Sequence, residues 1–325
     1  MYWASDCGNH AMKRNSSGDR LPTICFVLTA KDLGLYADMA AVAALAVRRL
    51  HPQARTILVT DEPTTRAIDR GSHALGNIVS EIIVQPTGTD DPIVSSRRLR
   101  TILRQLVKGD YLYLDNDAIA VRPLDREWPE GADLAVARDW NERGIPPDAL
   151  PNVKKLRAKL GWEFPPDRYF NGGVIFVRDT PAAHAFYAEW HRRWQQALSL
   201  GIRQDQPSLN SAIAAGVATI AILPDRDNWA TDSTAMLRGR ARIFHFWAGA
   251  RGGEIPTDTL LGHLIARFQR DGALDEAAIA RATRDNFPWM NNVGLKRLLA
   301  SGLYSRATAL GACRIIRRIC RKLSR

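Results

Sequence analysis

Six ionisable residues of this 325-residue chain, Lys31, Asp61, Asp115, Asp117, Asp139 and His245, follow short apolar runs. The runs include TICFVLTA at 23–30, TILVT at 56–60, YLYL at 111–114 and ADLAVA at 132–137. A brief, unbroken apolar run reads as a strand buried on both faces, the pattern of a parallel sheet covered by helices on each side. Helical spacing fills the intervals. Leu35 to Leu50 is alanine-rich, Leu99, Ile102, Leu103 and Leu106 mark a helix capped at Ser95 or Ser96 and stopped by Gly109, and an amphipathic helix runs from Pro181 to about Leu200. DQPSLNSAI leads a further helix, and RYFNGGVIFV reads as a loop that enters a strand through Asn-Gly-Gly. The alternation predicts an α/β fold with a mostly parallel central sheet flanked by helices. Ligands on such sheets gather at the carboxyl ends of the strands, where the charged residues lie.

With 46% apolar residues the chain can bury one large core plus an appendage. Residues 1–20 are polar and small and are expected to be disordered; residues 21–253 form the main domain, and 254–325 a helical extension. No uncharged apolar run reaches the roughly 18 residues of a membrane span, and the N-terminus lacks a secretory apolar stretch. The four cysteines, Cys7, Cys25, Cys313 and Cys320, are scattered, which fits a reducing cytoplasm. The formal charge of +11 is concentrated at one end: nine basic residues and no acidic one follow Asp285. No nucleic-acid recognition element accompanies them, so no nucleic-acid partner is expected. In CRIIRRICRKLSR, Ile315, Ile316, Ile319 and Leu323 share helical spacing, with six basic residues on the other side. Such a helix can lie on an anionic membrane surface, here the inner face, or else pack on the body or fray in water.

The chemistry centres on DYLYLDNDAIA. In extended backbone, residues i and i+2 share a face, so Asp115 and Asp117 point outward together beyond a buried strand. Two carboxylates so placed repel unless a cation joins them. Asp-x-Asp also occurs as a solvated turn, but at a strand end its hard oxygens suit Mg²⁺ or Mn²⁺ shared with a diphosphate. His245, in RIFHFWAG, is either a core histidine or a third ligand whose nitrogen tilts the choice toward Mn²⁺.

YLYLDND, RYFNGGVIFV, DQPSLN and HFWAGARGG, in this order across residues 23–253, resemble glycosyltransferase family 8 and the GT-A fold nucleotide-diphospho-sugar transferases. The resemblance implies a retaining transfer of a hexose, glucose or galactose, from a UDP-sugar donor to a glycan, glycolipid or protein acceptor. It implies that Asp115, Asp117 and His245 hold the metal and that Thr29, Ala30 and Tyr36 lie at the nucleotide. Arg97 or Arg98 would face the donor, the other lying in solvent. Asp139, Asn171, Gly172, Asp205 and Gln206 would surround the sugar, with Asp205 and Gln206 nearest the reacting face, and Gly249 and Arg251 would close over the phosphates. Where the family ends His-x-x-Gly-x-x-Lys-Pro-Trp, this chain has one more residue before Gly249 and carries Arg251, Gly252 and Gly253. No carboxylate stands out as a nucleophile, which favours front-side attack with the departing phosphate taking the acceptor's proton. Rival readings are a sugar-1-phosphate nucleotidyltransferase, for which LTAKDLGLY offers too few glycines, and a sugar-nucleotide or polyanion binder without turnover.

Overall fold

The computed structural model describes residues 23–30, 32–70, 73–124, 129–139, 146–230, 240–248, 254–285, 287–290, 294–300 and 304–323. The segment 1–20, Lys31, Gly249 and Arg251 lie outside the described residues. The first half of the chain runs β1 (Thr23–Leu28), α1 (Leu35–Leu50), β2 (Thr56–Thr60), α2 (Glu62–Arg70), α3 (Leu75–Ile78), β3 (Glu81–Val84), α4 (Pro92–Thr101), α5 (Leu103–Leu106), β4 (Tyr111–Leu114), β5 (Ala118–Ala120), β6 (Leu134–Arg138) and α6 (Pro151–Leu160). There follow β7 (Phe170–Val177), α7 (Pro181–Ser199), α8 (Gln206–Ala214), β8 (Ile220–Leu223), β9 (Trp229–Ala230), β10 (Ile243–His245), α9 (Leu260–Asp271), α10 (Glu276–Asp285), α11 (Leu295–Ala300) and α12 (Tyr304–Leu323).

Seven strands form the central sheet in the order β3-β2-β1-β4-β7-β6-β8. All run parallel except β7, which is antiparallel to both β4 and β6. Period-two alternation divides the strands between two cores. Ile24, Phe26, Leu28, Leu112 and Leu114 face one apolar cluster with α1, whereas Cys25, Val27, Tyr111 and Tyr113 face the other with residues of α4, α7 and α8. Helix α1 is alanine-rich because it is covered on nearly every side: nine of its residues, from Ala37 to Val47, are buried. Leu260, Leu264 and Phe268 of α9 and Ile279 of α10 join the same cluster as α1. No helix among the described residues is long and apolar enough to cross a membrane.

Two local expectations are corrected. The helix read as capped by Ser95 or Ser96 begins at Pro92, because Asp91 is the cap: its carboxylate accepts from the backbone N–H groups of Ile93 and Val94 at 2.9 and 3.3 Å. Proline loses nothing in a first turn, where no intrahelical partner exists for its nitrogen. Ser95 instead turns inward, 2.8 Å from the Thr87 hydroxyl. The Asn-Gly-Gly segment does not form a loop; it lies inside β7, where Asn171 pairs with Ala137 of β6 and the Gly173 carbonyl accepts the Asp115 N–H.

A candidate metal and sugar-nucleotide site at the carboxyl edge

Beyond Leu114 the chain turns once, through an Ala118 N–H to Asp115 carbonyl bond of 2.9 Å, and returns as β5. Asp115 and Asp117 project to the cleft while the intervening Asn116 reaches back, donating from Nδ2 to the Val27 carbonyl at 2.9 Å. A three-stranded sheet, β5-β10-β9, then brings in the distant histidine: β10 pairs antiparallel with β5, placing His245 opposite Ala118. His245 Nε2 lies 3.6 Å from Asp115 Oδ2 and 3.3 Å from Asp117 Oδ1. One ligand atom from each of the three residues lies within 4.8 Å of the others. The segment after β10 clamps Asp117, with the Phe246 N–H on its carbonyl at 3.1 Å and the Ala248 N–H on its carboxylate at 2.5 Å. Trp247 makes this possible by adopting φ +52°, a left-handed conformation costly for a bulky residue and common at functional sites.

The charges are balanced within the site. Burial would raise the Asp117 carboxyl, but the His245 charge, its hydrogen bond and the Ala248 N–H outweigh it and hold the group below its ordinary value. Burial would lower His245, yet Asp117 and Asp115 raise it. Tyr113 donates its hydroxyl to Asp115 at 2.5 Å; burial and the Asp115 charge raise that phenol well above its usual range. Two carboxylates and an imidazole within coordination reach of one point form a donor set for a divalent cation, Mn²⁺ suiting the nitrogen better than Mg²⁺. A cation held there would displace the proton on the ligand face of His245.

The two glycines of Asn-Gly-Gly are explained by what surrounds them. A Cβ on Gly173 would lie 2.2 Å from His245 Cε1 and 2.8 Å from Asp115 Oδ2; one on Gly172 would lie 2.0 Å from Arg100 Nη2. A bulge in the β6–β7 register at this step leaves Gly172, Gly173 and Val174 without partners on β6 and aims Asn171 into the cleft. Asn210 of DQPSLN fixes where β7 begins, accepting from the Phe170 N–H at 2.7 Å and donating to the Phe170 carbonyl at 2.9 Å.

Three of the residues expected around a sugar, Asn171, Gln206 and Asp139, meet in one network, whereas Asp205 turns to two arginines. Asn171 donates from Nδ2 to Gln206 Oε1 at 3.3 Å, and Gln206 donates from Nε2 to Asp139 Oδ2. Asp205 opens α8 without a side-chain capping bond; its carboxylate faces Arg97 at 3.4 Å and Arg100 at 3.3 Å. Arg98 instead lies near His191, whose pKa burial and the Arg98 charge lower. At the opposite end, Thr29 donates to the Pro92 carbonyl at 2.5 Å, and the Ala30 N–H donates to Thr64 Oγ1 at 2.8 Å. Tyr36 stands 44% exposed on the first turn of α1, so it does not pack on the sheet.

Two residues of this edge were not evident from the sequence. Arg100 is buried beneath Asp115, 3.5 Å from its Oδ1, with its guanidinium 4.9 Å from the Tyr113 ring centre. Arg104 lies 4.9 Å over Tyr111 in the same way. The two arginines lie on either side of the break at Ile102 between α4 and α5, and each covers one of the two tyrosines that share a face of β4. The signal was available in RTILR beside YLY, where cations interrupt an apolar helix face. The second residue, Asn228, is 2% exposed and bridges His245 to Asn171; no motif marked it.

No family model matches the chain, and no curated protein matches it. Solved structures do. The glycosyltransferase GlyE of Streptococcus pneumoniae TIGR4 aligns over 84% of this chain and 67% of its own, at 14% identity and a TM-score of 0.50. Mouse xyloside xylosyltransferase 1 aligns over 72% of this chain and 99% of its own, at 15% identity and a TM-score of 0.48. The galactosyltransferase LgtC aligns over 69% and 87%, at 17% identity and a TM-score of 0.46. The seven-stranded sheet with its reversed β7, together with the likeness to GlyE, identifies the architecture of this chain as the GT-A fold.

Proposed function

We propose that this chain is a metal-dependent glycosyltransferase that moves a hexose, glucose or galactose, from a UDP-sugar to a glycan, glycolipid or protein acceptor with retention of configuration. The observation that carries the reading is the convergence of Asp115, Asp117 and His245 at the carboxyl edge of a GT-A sheet. GlyE, which shares the fold, is a glycosyltransferase, and that supports the reaction class. Asp115, Asp117 and His245 would hold Mn²⁺ or Mg²⁺, which supplies Lewis-acid stabilisation to the departing diphosphate. Thr29, Ala30 and the exposed Tyr36 are assigned to the nucleotide, with Arg251 and Gly249 at the phosphates.

Asp139, Asn171 and Gln206 are assigned to the sugar hydroxyls, Gly172 lying beside them. Asp205 and Gln206 are the polar groups nearest the expected reacting face. Asp205 is 3% exposed and lies within 3.4 Å of two arginines. A carboxylate engaged by two arginines is oriented by them and not free to swing toward an anomeric carbon, which favours front-side attack in which the leaving phosphate accepts the acceptor's proton. Arg97 and Arg100 both serve this reading, Arg97 being the more exposed and so the nearer to the donor.

Helix α12 supports a cytoplasmic enzyme docked on the inner face of a membrane. Ile315, Ile316 and Ile319 are 61%, 58% and 52% exposed, and arginines flank them. Each basic residue near an anionic surface contributes about 1 kcal/mol.

The test of the enzymatic reading is a panel of uridine and guanosine diphosphate sugars with Mn²⁺, scored by released diphosphate without acceptor. Turnover of a UDP-hexose that disappears in the Asp115→Ala, Asp117→Ala double variant is expected. A wild-type chain that binds sugar nucleotides but hydrolyses none, or a double variant as active as wild type, would overturn it.

A further inference from the structure

We propose that Asn228 is a positioning residue that fixes which nitrogen of His245 faces the metal cluster, through a chain of side-chain amides whose polarity is set at both ends. The inference rests on the reading of Asp115, Asp117 and His245 as metal ligands.

The assignment proceeds from groups whose roles are not interchangeable. The Gly173 backbone N–H can only donate, and it points at one terminal atom of the Asn171 side chain at 2.8 Å, so that atom is Oδ1. The Asn228 side-chain atom 3.0 Å from the same oxygen must then be the amide nitrogen. Its Oδ1 consequently faces His245 Nδ1 at 2.9 Å, and Nδ1 carries the proton. The far end gives the same direction. Asp139 receives Gln206 Nε2, which turns Gln206 Oε1 toward Asn171 Nδ2 at 3.3 Å. Every donor in the series therefore points away from His245, apart from its own Nδ1–H. That leaves Nε2 as the ring nitrogen directed at Asp115 and Asp117, 3.6 and 3.3 Å away, the one that would present its lone pair to a cation once its own proton is displaced.

A competing contact exists. The Trp247 indole N–H lies 3.1 Å from the same Nδ1 and would need that nitrogen to accept. One ring nitrogen cannot serve both, and satisfying Trp247 would reverse Asn228, leaving two donors or two acceptors face to face along the chain. The amide series, anchored by a backbone N–H and a carboxylate, decides the matter. Asn228, His245, Asn171 and Asp139 are 2%, 2%, 8% and 5% exposed, so water does not replace a lost partner cheaply. The same series joins the proposed cation ligand to the residues assigned to the sugar, so a change in one is felt by the other.

The test uses the full chain, with Mn²⁺ alone titrated against it and free Mn²⁺ read by electron paramagnetic resonance. Asn228→Leu, which keeps the volume and removes both polar atoms, is expected to weaken Mn²⁺ binding about 10- to 100-fold. Asn228→Asp, which keeps an acceptor opposite Nδ1 but sets a second acceptor against Asn171 Oδ1, is expected to fall between wild type and Asn228→Leu. In parallel, ¹⁵N-histidine-labelled wild-type chain is expected to show a proton on His245 Nδ1 that is slow to exchange and is lost in Asn228→Leu. Equal Mn²⁺ affinity in wild type and Asn228→Leu, or an unprotonated Nδ1 in wild type, would overturn the inference. The nitrogen spectrum needs no metal. A wild type that shows the Nδ1 proton yet takes up no Mn²⁺ would therefore support the amide chain and sink the metal reading instead.

Discussion

Replacing Gly173 by alanine adds one methyl group at the place least able to receive it. The new Cβ would lie 2.2 Å from His245 Cε1 and 2.8 Å from Asp115 Oδ2, atoms of two of the three proposed metal ligands. Carbon atoms settle at about 3.5 Å or more, so the imidazole, the strand, or both must move by about 1.3 Å. Neither yields easily. His245 is 2% exposed, and β7 is paired with β4 at this step, the Gly173 carbonyl accepting the Asp115 N–H at 2.8 Å. Overpacking of this kind costs about 1–3 kcal/mol of stability, which leaves most chains folded. Metal sites tolerate ligand displacements of only about 0.2 Å, and a misplacement of about 1 Å costs on the order of 100-fold in rate. Gly173→Ala is thus expected to lose at least 100-fold in Mn²⁺-dependent UDP-sugar hydrolysis while keeping a cooperative thermal transition. Circular dichroism melting beside diphosphate release measures both. A folded Gly173→Ala chain within threefold of wild-type activity would refute the claim that the glycine is there to admit His245 and Asp115.

Arg100→Met removes the buried cation between Asp115 and Asp205, and the two carboxylates left behind are expected to cost about 3–5 kcal/mol in urea unfolding; adding Asp205→Leu should recover part of that loss. The Asp117–His245 pair gives a pH signature in chelator-treated protein. The lowered Asp117 contributes stability above pH 3.8 that is lost as pH falls through its folded value, and the raised His245 contributes stability below pH 6.5 that is lost as pH rises through its own. Thermal stability should therefore be greatest between those limits and decline as pH rises through the raised His245 value, and His245→Phe should flatten the alkaline decline; a profile unchanged by that substitution refutes the pairing. Ile316→Glu combined with Ile319→Glu should abolish flotation with vesicles containing anionic lipid while leaving UDP-sugar hydrolysis intact, and raised salt should weaken the wild-type association.

The parts legible in the sequence are those governed by local pattern. YLYL, TICFVLTA and TILVT announce buried strands because burial on both faces demands continuous apolar side chains, and Asp115 and Asp117 share a face because a strand alternates. His245 could be suspected but not placed, since only the β5–β10 pairing, more than a hundred residues apart in sequence, brings it to Asp117. Asn-Gly-Gly was misread for a related reason. Two glycines suggest a turn by their backbone freedom, yet here they serve close approach inside a strand, and what approaches them comes from α4 and β10. Arg100 was passed over because a basic residue on a helix reads as solvated until the aromatic rings beneath it are known. Asp91 was missed as a cap because Ser95 and Ser96 offered an equally good hydroxyl closer to the apolar spacing.

The reversed direction of β7 has a bearing on how the cleft can diversify. Its neighbours β4 and β6 leave the sheet at the carboxyl edge, whereas β7 enters there, so Phe170 and Asn171 are held in the ladder with β6 beside the candidate site. Were a sugar to sit there as proposed, that wall could not yield to a larger or differently configured ring without unzipping interstrand bonds. Selection for a new substrate would have to act elsewhere along the edge, with β7 kept as the fixed template.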